Sequence, residues 1–345
     1  MSAMKTVTTT EVLAPEPLEG VRGGDFLGVV DLSPAELRAV LALATRVKKD
    51  PAAWAGSLAG LHAALVFEKP SLRTRVSFEV GLTKLGMHAI YLDQQGSKLG
   101  ERESLKDFAK NIERFVDLVV ARVFDHAALE GIAQHTDIPI VNALSDVEHP
   151  CQALADVLTM AEHLGDAFET PNGGLEGKRL AWIGDGNNVC HSLMLAAATL
   201  GVSQTVITPK GFEPRFEVLR AATERAAATG ATIDLATDLT AVGSGGGHDA
   251  VYTDCWVSMG QDHQGNIRGE AFTGFQVDEE VMQAASKGRA GASNRPAIFM
   301  HCLPAHRGEE VTDTVIDSAD SVVYDQAENR MHAQNALVLA LLGKA

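Results

Sequence analysis

Short apolar runs recur along the chain, separated by stretches in which apolar residues return every three or four positions. HAALVF, HAIYL, VDLVVARV and PIVNA lie between residues 62 and 143; RLAWIG, QTVIT, TIDLAT, DAVYTD and AIFMHCL lie between 179 and 303. These runs read as strands. Between them SFEVGLTKLG, ESLKDFAKNIERF, HAALEGIAQH, CHSLMLAAATLG and FEVLRAATERAAATG carry helical spacing. In DLSPAELRAVLALATRVKK a serine precedes Pro and Glu, a helix start signal followed by an amphipathic helix. Strands that alternate with helices specify parallel sheets covered on both faces. The alternation restarts near residue 178, after the Gly-rich TPNGGLEG at 170–177, which is reached through a helix starting near His149. The expected fold class is α/β, with two doubly wound parallel-sheet domains and a cleft between them.

Composition supports the division. A chain of 345 residues is long for one hydrophobic core, and 46% hydrophobic with 21% charged residues is ordinary globular material. The formal net charge of -16 argues against nucleic-acid or membrane partners, but a local arginine cluster can still hold a small anion. Cys151, Cys190, Cys255 and Cys302 are far apart and form no C-x-x-C pair, which suits a reducing compartment. The first 24 residues, rich in Thr, Pro and Gly, read as a mobile leader without a signal peptide's apolar segment. No apolar run approaches the roughly 20 residues needed to span a membrane. A soluble, cytoplasmic protein is expected.

Ligands of parallel sheets bind at the carboxyl ends of strands, and each candidate motif can be placed by that rule. SLRTR at 71–75 follows the strand HAALVF and opens a helix, so backbone N–H groups and the helix dipole already favour an anion. Ser71 and Thr74 add hydroxyls, and Arg73 and Arg75 add forked donors suited to phosphate. A capped helix with two solvated arginines is the plainer reading, and the density of donors at a strand end outweighs it. WIGDGNN at 182–188 has the spacing G-x-G-x-x-V, with Val189 where a dinucleotide fingerprint needs its third glycine, so a dehydrogenase is the weaker alternative. EHPCQALAD sets His149 and Gln152 three residues apart at a helix start, where both can face one ligand. FMHCLPAHRGEE ends a strand in His-Cys-Leu-Pro; His301, Cys302 and His306 lack a fourth partner, so no metal site is expected. TDCWVSMG also ends a strand and offers Asp254, Ser258 and a turn at Met259.

SLRTR, HPCQ, GDGNN, SMG, HCLP and AENRMHAQNAL, in this order and spacing, resemble the aspartate/ornithine carbamoyltransferase family from about residue 25 to the end. Within it the chain resembles the ornithine-using members, since it has HCLP and the SMG turn where aspartate-using members have H-P-L-P and lack the turn. The resemblance implies carbamoyl transfer from carbamoyl phosphate to L-ornithine without a cofactor. It implies a carbamoyl-phosphate-binding domain over 25–165, completed by a C-terminal helix over 325–345, and an ornithine-binding domain over 166–324. By the same match, carbamoyl phosphate is held by Ser71, Leu72, Arg73, Thr74, Arg75, Lys98, Arg122, His149, Gln152, Cys302, Leu303 and Arg330. Arg122 and His149 would stabilise the carbonyl oxygen, Gln152 would orient the carbamoyl amide, and Asp254 with Cys302 would help the amine lose its proton. Ornithine would meet Asn188, Asp254, Ser258 and Met259. Leu72 stands where the family often has threonine, and its side chain need not face the ligand. Lys98 stands where ornithine-using members commonly have Gln or His; in the family this residue reaches a neighbouring subunit's site, which implies a homotrimer, or a multiple of trimers, with shared active sites. Alternatives are a carbamoyltransferase for another amine such as putrescine, and a non-catalytic metabolite sensor on the same fold.

Overall fold

The computed structural model describes residues 16–94, 97–257, 269–287 and 295–345. Strands β1 (His62–Phe67), β2 (His88–Asp93), β3 (Leu118–Arg122) and β4 (Ile140–Leu144) form one sheet in the order β2-β1-β3-β4. A second sheet holds β5 (Arg179–Ile183), β6 (Ser203–Ile207), β7 (Ile233–Ala236), β8 (Ala250–Thr253) and β9 (Ile298–His301), in the order β7-β6-β5-β8-β9. Every pairing is parallel. The central strands β3, β5 and β8 are buried almost throughout, as strands covered on both faces must be.

Register decides where the chemistry lies. Phe67 pairs with Arg122, Ile183 with Thr253, and Thr253 with His301, so the ends of β1 and β3, and of β5, β8 and β9, finish level. Each sheet reverses its winding there, between β1 and β3 and between β5 and β8, where parallel sheets open a crevice.

Two helices bind the sheets together. Helix Pro150–Leu164 is buried from Pro150 to Ala161, and the C-terminal helix Val323–Leu341 returns to pack on it and on helices Pro34–Lys49 and Leu72–Lys84. Their Leu154, Leu158, Leu337 and Leu341 share one core with Leu65 and Val120 of the first sheet and Trp182 and Tyr252 of the second. Polar bonds fix the register of this contact: Asn329 donates to Thr159 Oγ1 (2.9 Å) and Glu162 Oε2 (2.7 Å), and Lys48 Nζ to Asn329 Oδ1 (2.8 Å). The helix start read at Ser33 is a reciprocal cap: Ser33 Oγ accepts from Glu36 N, and Ser33 N donates to Glu36 Oε2 at 2.7 Å.

One expectation needs correcting. The leader expected over 1–24 is part of the fold from Glu16, because EPLEGV forms a helix over Glu16–Val21 that brings Leu18 and Val21, three residues apart, onto the core. Gly23 N then donates to Leu341 O at 2.8 Å, tying this segment to the C-terminal helix. Among the described residues no helix is long and apolar enough to cross a membrane.

Candidate active site

The level strand ends surround a cavity of about 420 Å³. Its first wall carries Ser71, Arg73, Thr74, Arg122, His149 and Gln152, with Arg330 from the C-terminal helix; the facing wall carries Asn188, Asp254, Cys302 and Leu303. Sequence reasoning placed all eleven at one site, and the structure brings them together.

Helix Leu72–Lys84 builds the anion side. Ser71 caps its first turn, accepting from Thr74 N, and donates to Thr74 Oγ1 at 3.0 Å. Thr74 Oγ1 also accepts from Arg330 Nη2 at 2.7 Å. The helix period then sorts the motif: Ser71 and Thr74 share one face, and Leu72 and Arg75 share another. Leu72 is 75% exposed, and Arg75 lies over the ring of Tyr91 (3.8 Å) and pairs with Glu79 (2.9 Å). Neither lines the cavity, so the four-donor cluster expected from SLRTR contributes Ser71, Arg73 and Thr74 here.

Arg122 ends β3 and is buried. Burial, with the charges of Arg330 and Arg73, pulls its pKa down to about 9, so it remains charged at neutral pH. Burial and the same class of neighbours, Arg330 and Arg122, hold His149 well below the ordinary histidine value, leaving a neutral imidazole. Arg122 Nε, Arg330 Nε, His149 Nδ1 and Gln152 Oε1 are buried polar atoms with no hydrogen-bond partner among the described residues. Unpaired buried polar atoms are costly, and several around one cavity mark a place for a polar ligand.

The opposite wall is acidic. Asp254 follows β8 and is 4% exposed; Oδ1 accepts from the Cys302 thiol (3.0 Å) and from Cys255 N (2.8 Å), and Oδ2 accepts from Asn187 Nδ2 (2.9 Å). Burial and the Asp254 charge raise the Cys302 pKa well above its ordinary value, so the sulfur stays a thiol. The ligand atoms of Asp254, Cys302 and His301 lie within 4.8 Å of one another. His301, however, is engaged on both ring nitrogens, accepting from Leu303 N at Nδ1 (2.8 Å) and meeting Glu310 Oε1 at Nε2 (3.3 Å). Asn188 Nδ2 donates across the cleft to Ser145 O at 2.6 Å. Gly186 allows the turn before it, since a Cβ there would collide with the backbone of Phe212–Pro214.

Lys98 is exposed and does not line the cavity; its ammonium lies 5.8 Å from the centre of the Phe124 ring, which does. Ser258 and Met259 lie outside the described residues. Several lining residues were not foreseen. Lys69 sits 4.3 Å from the Phe124 ring centre, its pKa lowered by burial and by Arg122. Its position two residues before Ser71 was the available signal. Arg215, paired with Asp146 at 2.9 Å, carried none. Asn187, part of the GDGNN motif, also lines the cavity and holds Asp254 through its side chain.

An anion cradle faces a buried acid across two parallel sheets, an arrangement for bringing a phosphorylated and a cationic small molecule together. Comparison with known proteins is specific. Residues 24–162 match the carbamoyl-P binding domain of the aspartate/ornithine carbamoyltransferases, and residues 176–341 their Asp/Orn binding domain. The chain belongs to this family. It is 46% identical over 316 residues to the ornithine carbamoyltransferase of Shewanella oneidensis, covering 92% of this chain and 98% of that one. The solved ornithine carbamoyltransferase of Pyrococcus furiosus superposes with a TM-score of 0.84 at 42% identity, covering 94% of this chain and 98% of that one. A solved N-acetyl-L-ornithine transcarbamylase is more distant, with a TM-score of 0.78 at 30% identity over 92% of this chain and 99% of its own.

Proposed function

We propose that the chain transfers the carbamoyl group of carbamoyl phosphate to the δ-amine of L-ornithine, giving L-citrulline and phosphate. The observation that carries this reading is the set of unpartnered buried atoms, Arg122 Nε, Arg330 Nε, His149 Nδ1 and Gln152 Oε1, facing the Asp254–Cys302 pair across one cavity. Ser71, Arg73 and Thr74 hold the phosphate oxygens. The δ-amine attacks the carbonyl carbon; the C–N bond forms, the bond to the phosphate oxygen breaks, and phosphate leaves with the electron pair. Negative charge grows on the carbonyl oxygen in between, where Arg122 and neutral His149 donate; such a preorganised donor is worth roughly 3 kcal/mol of barrier. Asp254 receives the ammonium group and, with Cys302, assists loss of its proton. Holding both small substrates in contact supplies much of the remainder. The bonds made and broken belong to the two substrates, and the step changes no oxidation state, so it calls for no redox cofactor.

The working form is proposed to be a cytoplasmic homotrimer with shared sites. Leu72, Val76 and Val80 form an exposed apolar stripe on the helix that opens at the phosphate cradle, 75%, 47% and 41% exposed, which suits a second copy of the chain. Lys98, free of its own cavity, is then available to the neighbour's.

The test is a citrulline assay with a panel of amines. Ornithine is expected to be carbamoylated with one phosphate released per citrulline, and putrescine, N-acetylornithine and aspartate to react far more slowly. A preference for another amine would overturn the ornithine assignment, and turnover of none would overturn the enzyme.

A further inference from the structure

We propose that Asp156 is a positioning residue that fixes which atom of Gln152 faces the reacting group, making the site select a carbamoyl over an acyl phosphate. The inference rests on the function proposed above. Asp156 lies one helical turn beyond Gln152 and is wholly buried. Its carboxylate accepts from Gln152 Nε2 at 2.8 Å, from Gln326 Nε2 at 2.6 Å and from the Tyr252 hydroxyl at 3.2 Å. Burial raises its pKa to about 7, and these three donors act in the opposite sense.

In all three contacts the carboxyl group is the acceptor, so what Gln152 offers it is its NH2 group. That leaves Gln152 Oε1 in the cavity wall, buried and without a partner among the described residues. A carbonyl oxygen held there accepts a hydrogen bond from the N–H of a carbamoyl amide; it has nothing to accept from the methyl group of acetyl phosphate. The network also reaches the opposite wall, since Gln326 Oε1 accepts from His301 N at 3.0 Å, the residue before Cys302 and Leu303. One buried carboxylate thus links helices Pro150–Leu164 and Val323–Leu341 to the ends of β8 and β9.

The experiment uses the full chain carrying Asp156→Asn, and reads the KM of carbamoyl phosphate together with the Ki of acetyl phosphate as its competitor. The new amide can accept or donate, so Gln152 is free to turn its NH2 into the cavity. The KM for carbamoyl phosphate should rise about tenfold, the equivalent of one lost hydrogen bond, while the Ki of acetyl phosphate stays within about twofold. Tyr252→Phe, which leaves the Gln152 contact in place, should not change the ratio of the two constants. Constants that rise together, or that both stay put, would make Asp156 a structural residue only and overturn the proposal. If Asp156→Asn does not fold, Asp156→Ser is read in the same way. A wild-type protein that binds neither phosphate would instead remove the functional reading on which this one stands.

Discussion

Replacing Thr74 with valine removes one oxygen from the anion cradle and keeps the volume and the β-branch. Thr74 is 0% exposed, and its Oγ1 accepts from both Ser71 Oγ (3.0 Å) and Arg330 Nη2 (2.7 Å). With both acceptor positions filled, the hydroxyl proton is left to be donated to a phosphate oxygen, the role proposed for this residue. The valine therefore forfeits a bond to an anion, and Arg330, whose Nε already lacks a partner, loses its anchor. A hydrogen bond to a charged group contributes about 1.5–3 kcal/mol, so losing one from the bound state raises the KM for carbamoyl phosphate roughly 10- to 150-fold. Thr74→Ser, which keeps the oxygen, should remain within about threefold of wild type. The assay is citrulline formation against carbamoyl phosphate concentration at saturating ornithine, with thermal unfolding measured alongside. A valine variant with a near-normal KM, or a serine variant as impaired as the valine one, would refute the role given to this hydroxyl.

The Cys302 thiol, kept protonated by burial and Asp254, should be alkylated slowly at pH 8 and more slowly still with carbamoyl phosphate and an ornithine analogue bound; equal rates of modification of this peptide with and without both ligands would argue against its place in the site. Burial raises the Glu148 carboxyl from 4.5 to about 7, so between those values the folded chain holds a proton that the unfolded chain has released. Stability should therefore fall as pH rises through this window and level off above it; Glu148→Gln should flatten the fall by about 3 kcal/mol in urea titrations, and parallel profiles would contradict it. Lys98→Ala and Arg122→Ala, each nearly inactive alone, should recover part of the activity when dissociated and reassociated together. Verified mixed oligomers no more active than the parents would refute shared sites.

The order of strands and helices was legible because strands buried on both faces stand out as unbroken apolar runs, and HAALVF and RLAWIG fall within a residue of β1 and β5. Motifs at strand ends were legible for the same reason: the rule that ligands bind there needs only the strand. Arg75 was misplaced because a five-residue motif was treated as one patch, although residues 73 and 75 are some 200° apart around a helix. Asp156 was invisible as a functional residue, because its importance lies in a long-range partner, Gln326 at 2.6 Å, that only the tertiary fold brings near; the contact of Asn187 with Asp254 at 2.9 Å was hidden for the same reason, although its motif was not. The leader was read from composition alone, which conceals that Leu18 and Val21 share a helix face.

The central claim is that one cavity holds both substrates, phosphate against helix Leu72–Lys84 and amine against Asp254. A crystal structure with a mimic that joins a phosphonate to ornithine tests it most directly. The account predicts phosphonate oxygens within about 2.7–3.2 Å of Ser71, Arg73 and Thr74, the mimic's carbonyl oxygen at Arg122 and His149, and the ornithine moiety beside Asp254 and Cys302. A mimic bound with its phosphonate away from the Ser71–Thr74 turn, or with its ornithine moiety remote from Asp254, would contradict it.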